Sequence, residues 1–186
     1  MELQGERLIP ASVDTTWAAL NDPEVLKACI AGCESLERTG EDSLTAVVAL
    51  KIGPVSARFK GNLKMTNVQP PNAYTMNFDG QGGVAGFGKG SADVALTAEG
   101  AQTRLKYNAR AQVGGKMAQV GSRLIDAAAG KITEDFFKAF EAHLQPAGVA
   151  VAPTTEADVA ATAGIGKVWW LIGALVLLAI LYFMIR

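Results

Sequence analysis

The chain contains a single histidine and two cysteines in 186 residues. A Ser-His-Asp arrangement would have to use His143, which falls at the end of the last soluble helical segment, so nucleophilic catalysis of that kind is not expected. A zinc site is short of ligands, because Cys29 and Cys33 have no second pair of His or Cys to join them. Two cysteines do not make a disulfide scaffold either, and in a cytosolic domain they read as reduced and structural. Net charge is scarce: 17 basic residues stand against 18 acidic ones, so no strong field favours nucleic acid or an anionic surface. No inward-facing pair of carboxylates is evident, since Asp79 and Asp93 fall on polar faces of their strands. The opening Met-Glu-Leu-Gln-Gly-Glu-Arg lacks a basic stretch followed by an apolar one, so no secretory signal is expected. Binding is expected rather than turnover.

What is abundant is apolar residue, 49% of the chain, and much of the excess sits in one place. Val168 to Ile185 reads VWWLIGALVLLAILYFMI without a charge. About 18 helical residues rise roughly 27 Å, at the short end of what crosses a bilayer core. Lys167 and Arg186 bracket the run and can snorkel to headgroups. Trp169, Trp170 and Tyr182 sit where amphipathic rings favour the interface. Residues 167–186 are therefore expected to be a transmembrane anchor. Residues 146–166 lack an apolar period and read as a flexible linker. With no leader, the domain at 1–145 would face the cytoplasm, as a single-pass tail anchor in the cytoplasmic membrane.

Within 1–145 the pattern is α+β. Residues 2–9 read as a strand. Pro10-Ala11-Ser12 leads into a short helix capped by Ser12 or Asp14, with Trp17 and Leu20 on its buried face. Pro23 starts a second short helix that carries Val25, Leu26 and Ile30 and ends near Gly32. Leu44, Ala46, Val48, Leu50 and Ile52 then alternate with a mixed set. From Val55 to Thr66 the alternation is clearest, with Val55, Ala57, Phe59, Gly61, Leu63 and Met65 on one face and Arg58, Lys60, Asn62 and Lys64 on the other. Tyr74, Met76 and Phe78, then Ala92, Val94 and Leu96, then Leu105, Tyr107 and Val113 continue the inward face. Short turns between them predict an antiparallel meander. After Gly114-Gly115 a long helix is predicted from about Lys116, its apolar stripe running through Met117, Val120, Leu124, Ile132, Phe136 and Phe140. Gly121 and Gly130 fall inside that stripe, at about 1 kcal/mol each relative to alanine, which suggests a close backbone approach or room for a ligand. The glycine-rich stretch at 80–90 has neither Walker spacing nor a following helix, so phosphate binding is rejected. It reads as a mobile hairpin carrying Val84 and Phe87, a lid or a contact for a partner.

Three stretches are individually distinctive: ASVDTTWAALNDPEVLKACIAGCESLE, GPVSARFKGNLKMTNVQPP and GGKMAQVGSRLIDAAAGKITEDFFKAF. They resemble the CoxG family, the G component of carbon monoxide dehydrogenase, over about residues 1–144, and the order of elements resembles the helix-grip, or START-like, fold. Ala31 departs from the family pattern, in which a proline stands between the cysteines. The resemblance implies a non-enzymatic accessory protein that recruits carbon monoxide dehydrogenase, or a related molybdenum hydroxylase, to the membrane. It further implies that the cavity holds a respiratory quinone, menaquinone or ubiquinone, as electron acceptor. A passive anchor without ligand, or a START-like carrier of lipid for another partner, are the alternatives.

In such a fold the long helix lies across a bent sheet and a gap commonly remains. The inward residues offered to it are Leu50, Phe59, Leu63, Met65, Met76, Phe78, Leu96 and Tyr107 from the sheet, with Trp17, Met117, Leu124 and Ile125 from the helices. Large residues beside Gly61, Gly80, Gly88 and Gly90 leave volume that a close-packed core would fill. Methionines there adapt to an irregular apolar guest.

Overall fold

The computed structural model describes residues 1–145. The expected linker at 146–166 and the expected anchor at 167–186, with Trp169, Trp170 and Tyr182, lie outside the described residues. Among the described residues no helix is long and apolar enough to cross a membrane.

Strand β1 (Glu2–Ile9) precedes two short helices, α1 (Val13–Leu20) and α2 (Pro23–Cys29). Ser12, not Asp14, caps α1, its hydroxyl accepting the Thr15 N–H at 3.3 Å. Asp22 caps α2 by accepting the Glu24 N–H at 2.9 Å, with Pro23 at the first helical position. Six strands follow: β2 (Cys33–Gly40), β3 (Ser43–Ile52), β4 (Val55–Gln69), β5 (Ala73–Gln81), β6 (Phe87–Glu99) and β7 (Gln102–Gly114). They form one antiparallel sheet in the order β1-β7-β6-β5-β4-β3-β2, a meander whose last strand recruits β1 to its free edge. Register shifts in β2 and between Thr66 and Gln69 of the β4–β5 pair bend the sheet, the second with Asn67 at φ 51°.

The chain then makes a single turn of helix, α3 (Lys116–Gln119), and the long helix α4 (Ser122–Leu144). This corrects the expectation of one continuous helix from Lys116. Gly121 adopts φ +96° and precedes α4 rather than lying inside a helix, a conformation that would strain any residue with a Cβ. Gly130 is helical, but a Cβ there would meet nothing within 4 Å, so no backbone approaches it. Strand β2 is not evident from alternation, because its sequence, CESLERTG, buries one residue, Leu36, and the apolar pattern is too thin to read.

The packed core lies at one end of the molecule. Ile9, Leu20, Met65, Tyr74, Leu96, Leu105, Phe137 and Phe140 form its main cluster, and Leu26, Leu36, Leu44 and Ala46 a second one under α2. Helix α4 is held there by its C-terminal half. Phe137 stacks on Tyr107 at 5.3 Å between centroids, Arg7 lies over the Phe137 ring, and the same Arg7 pairs with Glu134.

Candidate functional site

Toward the opposite end the sheet's inner face changes character. There the turns β3–β4 and β5–β6 and the end of β7 come together, as the antiparallel order requires. Inward residues that are fully buried near the core, such as Leu44, Met65 and Leu96, give way to half-buried Leu50, Ile52, Phe59, Phe78 and Val113, none of which belongs to either core cluster. Between this part of the sheet and α4 lies a cavity of about 580 Å³, within the range of small-molecule sites.

Two features of the sequence make the space. One row across five strands reads Ala46, Gly61, Gly80, Gly88, Val113, and every member lines the cavity. At Gly61 the glycine is required by the neighbouring chain, since a Cβ would sit 2.6 Å from the Asp79 carbonyl oxygen. At Gly80 and Gly88 nothing requires it. A Cβ would have no neighbour closer than 3.9 Å and 4.0 Å respectively, and neither residue has a positive φ. The second feature is how the large residues lie. The rings of Phe59, Phe78 and Phe87 rest on Gly82, Gly90 and Gly114, each within 2.7 Å of where a Cβ would stand, and the Tyr107 hydroxyl comes to 2.6 Å of that place on Gly5. Each ring reclines on a glycine instead of projecting into the centre, so the wall is aromatic and the middle stays open.

The lining carries no carboxylate and no cationic side chain among the described residues. Its polar side chains are the hydroxyls of Tyr74, Tyr107 and Thr133. Burial pushes the Tyr74 phenol up to about 12 from 10.0, so at neutral pH it is a neutral hydrogen-bond donor. Neither tyrosine hydroxyl makes a hydrogen bond within the described residues. Burial likewise raises the thiol pKa of Cys29 and, against the nearby Lys27 charge, of Cys33. Both are free thiols, and weak thiolate character makes them poor nucleophiles. A larger but shallow depression of about 840 Å³ lies on the outer face beside Met1, Asn77, Lys89, Ser91 and Arg110; charged and open to water, it does not offer an apolar guest shelter.

Of the residues expected at the cavity, Leu50, Phe59, Leu63, Met76, Phe78, Tyr107 and Met117 line it. Met65 and Leu96 lie on the right face but too far toward the closed end, and are packed in the core at 5% and 3% exposure. Trp17 packs edge-on against Tyr74, with centroids 5.6 Å apart, behind the wall. Leu124 is displaced by the break at Gly121, lies against Gly53 of the β3–β4 turn and is 40% exposed, while Ile125 faces a separate groove beside Phe87 and Asp126. In the glycine-rich hairpin Val84 is 86% exposed, whereas Phe87 is part cavity wall. Lining residues outside the expected set include Val48, Ile52, Tyr74 and Val113 from the sheet and Ile132 and Phe136 from α4. Strand parity carries the first four and the helical stripe the last two.

The sequence profile of the CoxG family, the G component of carbon monoxide dehydrogenase, matches residues 5–145. The chain belongs to this family. No curated protein matches it. Among solved structures, a conserved protein from Geobacillus kaustophilus is 33% identical, with a TM-score of 0.72 over 77% of this chain and 94% of that one. A START superfamily protein from Mycobacterium smegmatis is 16% identical, with a TM-score of 0.59 over 76% of this chain and 95% of that one. An aromatase/cyclase from Streptomyces sp. R1128 is 10% identical, with a TM-score of 0.55 over 77% and 92%. The last two share the START-like fold, which is all that such identities establish. The family name ties the chain to carbon monoxide dehydrogenase as an accessory component.

Proposed function

We propose that this CoxG protein is a membrane-anchored accessory protein that brings a carbon monoxide dehydrogenase, or a related molybdenum hydroxylase, to the cytoplasmic membrane and binds a respiratory quinone in its apolar cavity. The observation that carries the reading is a cavity of about 580 Å³ whose lining has no charge and few polar groups. A quinone matches that chemistry: its ring and isoprenoid chain are apolar, and its two carbonyls accept hydrogen bonds of the kind Tyr74 and Tyr107 can donate. Reclining rings of Phe59 and Phe78 provide flat faces against which a quinone ring stacks at little entropic cost. Among the described residues the lining has no carboxylate, histidine or amine to act as a general base, which supports carriage of the guest over acid–base turnover of it.

The tail supplies the geography. An apolar run at 168–185 would hold the domain at the bilayer, where a water-insoluble quinone resides. A flexible linker of about 20 residues has a root-mean-square reach near 25 Å and a limit of roughly 70 Å. Tethering of this kind raises the local concentration of a docked enzyme into the millimolar range. The test is to purify the full chain in mild detergent from a quinone-containing host and extract bound molecules for mass spectrometry. Stoichiometric menaquinone or ubiquinone is expected, reduced in the Gly80→Leu variant. Detergent and phospholipid alone, equal in both proteins, would overturn the quinone assignment.

A further inference from the structure

The exposed large apolar residues are not scattered. Among the described residues, apart from Met1 and Leu8, they are Val84, Phe87, Leu124 and Ile132. Val84 lies in the β5–β6 turn and Phe87 opens β6, while Leu124 touches Gly53 of the β3–β4 turn. Phe87 and Ile132 also line the cavity. Together they surround the open end of the cavity with carbon facing water, the mark of an interaction surface.

Charge separates along the same axis. The segments at the open end carry Lys51, Lys116 and Arg123 against Asp126, and Lys60 stands just behind them, opposite Gln81. All four cations are exposed, and none forms an ion pair within the described residues. The closed end carries more acid than base: Asp14 on α1, Glu41 and Asp42 in the β2–β3 turn and Glu99 at the end of β6 stand against Arg38, whose guanidinium donates to the Glu41 and Asn21 carbonyls, and Arg104, engaged by Glu6 and Glu99. A protein with almost no net charge therefore presents a basic, apolar-tipped face around the mouth of its cavity.

We infer that this open end docks onto an anionic phospholipid bilayer, with Val84, Phe87 and Leu124 entering the headgroup region and Lys51, Lys60, Lys116 and Arg123 against the phosphates. The occupant is set by charge complementarity and by the chain beyond residue 145, whose uncharged run at 168–185 would keep the domain within linker reach of lipid. Apolar tips inside a ring of cations are the requirement for reversible interfacial binding. Docking in this pose places the cavity mouth against the acyl region, so a hydrophobic guest passes between lipid and cavity without crossing water. The inference rests on the carrier reading for its purpose, and on the surface and the apolar run at 168–185 for its occupant.

Residues 1–145 suffice for the test: they contain both core clusters of the described residues, and the relative from Geobacillus kaustophilus, matched over 94% of its own length, folds with little beyond this domain. Co-sedimentation of the domain with vesicles of mixed phosphatidylglycerol and phosphatidylcholine should show binding that weakens with salt and is lost on pure phosphatidylcholine. Each cation near the surface contributes roughly fivefold to such partitioning, so Lys116→Gln with Arg123→Gln should lower it about 30-fold. The same loss of charge on the outer face, Lys64→Gln with Lys106→Gln, should change it less than about threefold. Val84→Asp, at a site too exposed to affect folding, should abolish it. Absence of vesicle binding, equal losses from the two double variants, or capture of the purified dehydrogenase by these residues in place of lipid would overturn the inference. Vesicle binding that fails while quinone still co-purifies removes the docking face and leaves the carrier intact. Docking that holds while no quinone is found leaves the face and removes the carrier.

Discussion

Replacing Gly80 by leucine separates a working cavity from an unfilled-looking core. A Cβ at this position has no neighbour closer than 3.9 Å, so the substitution is not opposed by the backbone. The leucine side chain takes up roughly 100 Å³ at protein packing density, about a sixth of the 580 Å³ available. If the space is empty in the ligand-free protein, burying the side chain contributes about 1.5–3 kcal/mol. Removing glycine from a strand interior adds roughly 0.5–1 kcal/mol. At about 3 °C per kcal/mol for a domain of this size, the melting temperature should rise by about 6–12 °C. Binding should move the other way. A guest forced against the new side chain meets overpacking of about 1–3 kcal/mol, a loss of roughly 5- to 150-fold in affinity. Calorimetry on residues 1–145 reads the first effect. Quenching of Trp17, the one tryptophan of this region and packed on the cavity residue Tyr74, by a short-chain quinone reads the second. A fall in melting temperature with unchanged quenching would refute the reasoning, because it would mean that the protein's own side chains already occupy the space.

Gly5→Ala brings a methyl group into the Tyr107 hydroxyl, 2.6 Å from the new carbon, and should swing that ring into the cavity; quinone affinity should fall severalfold while the strand pairing persists in the circular dichroism spectrum. Tyr74 holds its proton to about pH 12 when folded and releases it near 10 when unfolded, so its contribution is complete below pH 10 and is lost as pH climbs through 12. That amounts to about 2–3 kcal/mol, and Tyr74→Phe should flatten the alkaline fall of urea stability between those limits; an unchanged slope would assign the loss elsewhere. Phe140, fully buried beneath α4, should cost about 3–5 kcal/mol when cut to alanine, measured by denaturant melts, and should release the C-terminal half of the helix to hydrogen exchange.

Much of the sheet can be read from alternation. In β4 the inward set Val55, Ala57, Phe59, Gly61, Leu63 and Met65 is the set turned from solvent, and the outward lysines and arginine are exposed. Parity gives the face of a residue, however, and not its position between the closed and open ends. Met65 and Leu63 share a face two residues apart, yet one is core and the other cavity wall. The difference arises from how far α1, α2 and the C-terminal half of α4 extend over the sheet, which no single strand encodes. Glycines beside large residues signal volume, but the signal lacks its geometry: that Phe78 lies on Gly90 depends on cross-strand register. The break before α4 escapes periodicity because Met117, Val120 and Leu124 keep helical spacing across it, and a positive φ at Gly121 leaves no trace in an apolar pattern. Phe87 is harder, since one residue serves both the wall and the rim.

Ala46 of the inner row belongs to the second core cluster and Gly61 is fixed by the Asp79 carbonyl, but Gly80, Gly88 and Val113 lie outside both clusters. Mutations there can resize the chamber one side chain at a time with the structural pillar left untouched. A different guest would therefore call for changes at Gly80, Gly88 and Val113, and not for a change in how the domain folds.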